Sequence, residues 1–207
     1  MLSVACVGFL FGGLGVGVAL GGVMPLPYGS LARIQEYVRN NPPAVQVIAV
    51  AMFASSVPLA GYAIVVSARL RQLGVAGPGP TIALVGGSLA AGSLALAGLV
   101  GWTLTRPEVS ADAAVVRALY TLVFLIGGPG HIVALGVLVA AVAAAGLRLT
   151  PKPVAWIGLA VAALAVSATA VLAWTPLGVI LPVARVLALG WLVVAGALLS
   201  RADLHAM

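Results

Sequence analysis

The chain has 207 residues, of which 63% are hydrophobic and 7% charged, with a mean hydropathy of +1.23 and a formal net charge of +6. Soluble domains carry about 25% charged residues, so a surface this poor in charge excludes a water-soluble globule and leaves an integral membrane protein. The positive balance would suggest nucleic acid in a soluble chain, but these arginines fall mainly at the ends of apolar runs, where topology and lipid headgroups account for them and nucleic acid is not an expected partner.

The expected fold is all-α: one transmembrane domain over 1–207, with six spans, short loops and no soluble domain. The first span covers about 2–23. No basic segment precedes it, so it reads as a retained span rather than a cleaved signal. Gly13 and Gly17 fit the small-xxx-small pattern of close helix packing. The glycines are not a phosphate loop, because no Lys-Ser/Thr follows them and no strand precedes them. Met24-Pro25-Leu26-Pro27 leaves the bilayer, and Ser30 caps a short amphipathic helix over 31–40. Leu31, Ile34, Tyr37 and Val38 share its apolar face, and Arg33, Glu36 and Arg39 the polar one. Such a helix either lies on the membrane as an anchor, the reading favoured here, or lids the bundle.

The second span covers about 44–68. Its Ser55 and Ser56 precede Pro58, and their hydroxyls are expected to satisfy the carbonyls that the proline frees. The third covers about 81–103 and is again rich in glycine. Its Gly87–Ser93 stretch lacks the base and the strand–turn–helix elbow of a serine nucleophile. Trp102 sits where an aromatic belt is expected.

The fourth span, about 113–147, organises the rest. As one helix it would be roughly 50 Å long, against ~30 Å of bilayer hydrocarbon. Gly127-Gly128-Pro129-Gly130 interrupts it, and Pro129 removes a backbone donor. The expectation is a helix broken near its midpoint, with freed carbonyls and with amides near Gly130–Ile132 able to take an anionic group. The fifth span (about 154–174) has Trp156 and Trp174 at its ends. The sixth (about 177–199) holds Pro182 and Arg185.

Spans three–four and five–six read as copies. Pro80 to Trp102 is 22 positions and Pro153 to Trp174 is 21, and Val116-Arg117-Ala118-Leu119 matches Ala184-Arg185-Val186-Leu187. Such a repeat of two-helix units would be parallel, about an axis along the membrane normal. Spans one and two read as a possible third, eroded copy.

Chemistry is sparse. No carboxylate lies inside a span, which argues against a carboxylate proton relay and a di-iron site. One usable histidine and one cysteine give no zinc or haem ligand set, no intrachain disulfide and no CxxC pair, so neither metal nor other cofactor is expected. What remains is cationic. Arg117 and Arg185 either snorkel to the outer headgroups or bind a carbonyl, or else take an anion in an outward-facing pocket. His131 lies 14 residues after Arg117, on the same helical face, with Tyr120 beside the stripe. The candidate ligand set is therefore Arg117, Tyr120, Gly128, Gly130, His131 and Arg185.

Arg69, Arg71, Arg148, Lys152 and Arg201 fall on one side, with Asp203, and Arg33, Arg39 and Arg106 on the other. The positive-inside rule then places both termini in the cytoplasm. The Ala, Gly, Val and Leu bias with a single lysine suggests a GC-rich bacterial genome, hence the bacterial cytoplasmic membrane.

Six spans, short loops, and Arg117 and Arg185 near the outer ends of spans four and six resemble the small six-helix bacterial membrane proteins grouped as the 4386-numbered domain of unknown function. That resemblance implies no activity. Three functions stay open: a non-enzymatic bundle serving as an accessory subunit or lipid-associated protein, a carrier or channel for an anionic or amphipathic molecule, and a membrane enzyme with His131 as base. The expected partners are membrane lipid and either further copies of the chain or a larger complex.

Overall fold

The computed structural model describes residues 1–201, so Asp203 and the polar tail lie outside it. The protein is 87% helix, and no strand occurs among the described residues. Its elements are α1 (Leu2–Gly21), α2 (Leu31–Asn40), α3 (Pro42–Gln72), α4 (Gly79–Thr103), α5 (Pro107–Ala111), α6 (Ala113–Leu125), α7 (His131–Leu149), α8 (Lys152–Ser167) and α9 (Ile180–Arg201). A π-turn, Ile126–Gly130, joins α6 to α7, and single 3₁₀ stretches follow α8 and precede α9. Six helical runs are long and apolar enough to cross a membrane.

Local chemistry sets the boundaries. The Ser30 hydroxyl accepts from the Arg33 amide at 3.4 Å and starts α2. Asp112 accepts from Ala114 and Val115 at 2.8 and 3.2 Å and starts α6. α3 stops at Gly74, whose φ of 77° is the left-handed conformation that only glycine adopts at low cost. Gly74 N–H bonds Arg71 O and Val75 N–H bonds Leu70 O, which closes the helix end. Pro58 does not interrupt α3. The Ser55 and Ser56 hydroxyls bond the carbonyls of Met52 and Phe53 at 2.8 and 2.6 Å, in the turn before the one that Pro58 disturbs.

The Ala113–Leu149 run is the centre, packed on α4 and α8, with the π-turn inside it and most of α7 buried. The expected break is corrected here. Gly127–Gly130 stay helical, with one extra residue absorbed as an i→i+5 turn, so the run bends its ladder without ending it. Close approach elsewhere depends on glycine. A Cβ on Gly98 would stand 2.7 Å from Ala49 O, and one on Gly86 the same distance from Leu138 N. Gly13 and Gly17 face Ala51 and Ile48 of α3, as small-xxx-small packing requires.

α2 turns most of its apolar side into the protein and leaves Leu31 exposed. Ile34, Tyr37 and Val38 are buried with Val45, Leu104, Val116 and Tyr120. It therefore lids one end of the bundle, correcting the surface-anchor reading: the partner for its apolar face is the chain itself. Gln35 adds a clamp, donating to the carbonyls of Ser110 and Ala111 at 3.3 and 3.2 Å and so satisfying the end of α5, a stretch expected to be a simple loop.

The two units read as copies differ in detail. α4 is α-helical to Thr103, whereas α8 tightens to 3₁₀ from Ala168, and the π-turn has no counterpart in α9.

Candidate functional site

The six candidate residues separate into two places. Arg117 and Tyr120 sit on α6, beneath the loop between α1 and α2. That loop contains two prolines and has few backbone bonds of its own, so side chains hold it. Arg117 donates from Nη1 to Gly29 O at 2.8 Å, Tyr120 donates to Pro25 O at 2.6 Å, and Tyr37 donates to Gly22 O at 3.2 Å. The Tyr28 ring stands edge-on to Phe124, with centroids 5.9 Å apart. Burial raises the Tyr37 phenol above its usual pKa, which keeps it a donor. Arg117 and Tyr120 are thus occupied as ties from α6 to the loop.

Arg185, His131, Gly128 and Gly130 meet at the π-turn. Pro129 has no N–H to offer the ladder, and Arg185 donates from Nη2 to the carbonyl of Gly127. The carbonyl four residues before Pro129 is that of Leu125, so Gly127 O takes Arg185 two residues further on. The expectation of free amides does not hold: the His131 N–H bonds back to Ile126 and Gly128. His131 is fully buried, and its Nδ1 lies 2.9 Å from Ala90 O near the middle of α4. A carbonyl only accepts, so Nδ1 carries a proton. Nε2 has no partner, and neither does Arg185 Nε, although both atoms are enclosed. Gly128 lets Leu181 pack against the turn, and Gly130 lies under Leu125 O.

Arg117 and Arg185 do not flank one pocket. Arg117 reaches the α2 end of the bundle. Arg185 reaches Gly127, ten residues further along the same run, about 15 Å away by helical rise. Two surface depressions lie elsewhere. One, of about 480 Å³, runs between α1 and α3 past Gly8, Gly12 and Gln46. The other, of about 280 Å³, lies between α2 and α5 at Arg39, Thr105 and Ser110. Among the described residues no three His, Cys, Asp or Glu side chains gather as metal ligands would.

Several contacts had weaker sequence signals. Arg106 lies 3.8 Å over the Trp102 ring, and their spacing of four residues at a helix end was the available cue. The Gln35 clamp and the Ala90 carbonyl had none, because any residue supplies a backbone oxygen. No protein family, curated protein or solved structure was found to match the chain.

Proposed function

We propose that the chain is a multi-pass protein of a bacterial cytoplasmic membrane, a non-enzymatic helical bundle acting as an accessory subunit of a larger assembly or as a lipid-associated protein. One observation carries this reading: the groups set aside as ligand candidates bind the protein's own carbonyls. Arg117, Tyr120, His131 and Arg185 take those of Gly29, Pro25, Ala90 and Gly127. What is left for a partner is surface. In α1 only Ser3, Cys6, Leu10 and Gly17 are buried, and α9 leaves Val183, Val186 and Val194 exposed.

Both termini are assigned to the cytoplasm. Arg69, Arg71, Arg148, Lys152 and Arg201 lie on that side in sequence, against Arg33, Arg39 and Arg106 on the other. Arg117 reaches the loop of that other side, which makes the count five to four. A reporter fused after Arg201 that is active only outside the cytoplasm overturns the assignment.

Native mass spectrometry of the protein, gently extracted from its own membranes, tests the main reading. The expected spectrum carries a stoichiometric second protein or retained lipid. An anionic metabolite lost with Arg185→Ala would instead favour a carrier, a reading supported by the incompletely partnered Arg185 guanidinium. The full burial of His131 does not favour a catalytic base, since no substrate atom reaches the ring without repacking.

A further inference from the structure

α9 has two unlike faces. Leu181, Ala184, Ala188, Leu192 and Ala195 are buried against the bundle. Val179, Val183, Val186, Gly190 and Val194 form an outer stripe at spacings of three and four, exposed throughout, and nothing lies within 4 Å of where a Gly190 Cβ would be. Arg185 stands at the seam between the faces. Its Nη2 is held by Gly127 O and its Nε is enclosed without a partner. Its Nη1 makes no bond to the chain.

The depth makes this corner costly. Gly127 and His131 lie at the middle of the Ala113–Leu149 run, so a guanidinium bound there sits near mid-bilayer in the membrane reading above. A charge at that depth is stable only when paired. This chain has no counter-charge to give. Glu36, Glu108 and Asp112 belong to α2, α5 and the α6 cap at one end of the bundle, and Asp203 follows the last span in sequence. A second copy has the same lack. A carboxylate that completes the pairing would come from a different molecule, and the apolar stripe beside Arg185 suits a helix rather than a small ion.

We propose that the outer face of α9 docks a membrane-spanning helix of another protein, whose Asp or Glu pairs with Arg185 at mid-bilayer depth. This deepens the accessory-subunit reading and rests on it.

The test is photo-crosslinking in native membranes, using the full chain with p-benzoylphenylalanine at Val186 and, as control, at Phe9 on α1. The expected adduct at Val186 is an apolar segment of another protein that contains Asp or Glu. Its yield falls about ten-fold in Arg185→Leu, equivalent to about 1.4 kcal/mol. Arg185→Lys keeps the adduct. Arg185→Glu loses it and regains it when the partner's carboxylate is changed to arginine, a rescue that no folding defect would produce. An adduct with a carboxylate-free segment or with a second copy overturns the pairing but leaves the subunit reading standing. So does a yield unchanged by Arg185→Leu together with a stability that depends on exchanging chloride for gluconate, which would mark a small anion as the counter-charge. Lipid adducts alone at both positions, with a bare protein by mass, overturn both.

Discussion

Arg117 and Arg185 stand in nearly the same local sequence, Val-Arg-Ala-Leu against Ala-Arg-Val-Leu, and each donates to a glycine carbonyl. Their surroundings set them apart. Arg117 sits at the edge of the bundle, where its remaining donors can be hydrated, and it ties a proline-containing loop whose backbone needs partners. Arg185 sits at mid-length against a π-turn, with one nitrogen held and two without a partner, one of them enclosed. The same residue is a structural tie where water is near and an incomplete pair where it is not. Position along the bundle decides the role, and local sequence does not record it.

Substitutions can break or sharpen this contrast. The largest effect is expected under the lid of the Arg117 end. Ile34→Ala empties a fully buried site in the cluster that α2 seals, and should cost about 3 kcal/mol in thermal unfolding in detergent. Arg117→Leu removes a charge-assisted bond and should cost about 2 kcal/mol, with faster protease cleavage within residues 22–30. If that cleavage rate is unchanged, the loop does not depend on Arg117. Tyr120→Phe removes one neutral bond from the same loop and should cost about 1 kcal/mol, with a smaller rise in cleavage. Arg185→Leu is expected to differ in sign. Replacing a half-paired buried charge by an apolar side chain should leave the isolated protein's stability unchanged or slightly raised, because the desolvation cost goes with the charge. A loss as large as that of Arg117→Leu would show that the two arginines are equivalent after all.

Much of the architecture was readable from the chain. The apolar runs are long, and Ser30, Asp112 and Gly74 mark helix ends through chemistry that a short window contains. The π-turn was readable only as a disturbance. Gly127-Gly128-Pro129-Gly130 says that the ladder is interrupted, but whether it breaks or absorbs an extra residue depends on neighbours such as Arg185 that lie far off in sequence. The two α2 alternatives failed to separate for a related reason: an apolar face looks the same whether lipid or Leu104 and Val116 will cover it. His131 shows the limit most plainly. Its partner is the Ala90 carbonyl, and nothing about an alanine announces that its oxygen will be used.

The hydroxyl of Tyr62, deep on α3, donates to Leu192 O of α9 at 3.0 Å. The two groups are 130 residues apart, while most of the other helix contacts join near neighbours in the chain. On a ribosome that works from the N-terminus, α1, α3 and α4 can pair as they emerge, but this phenol waits until residue 192 has been made before it meets its acceptor. α9 is therefore made after the other described helices and closes the bundle on itself. A nascent chain stopped short of residue 192 would hold its early helices together while leaving that closure undone.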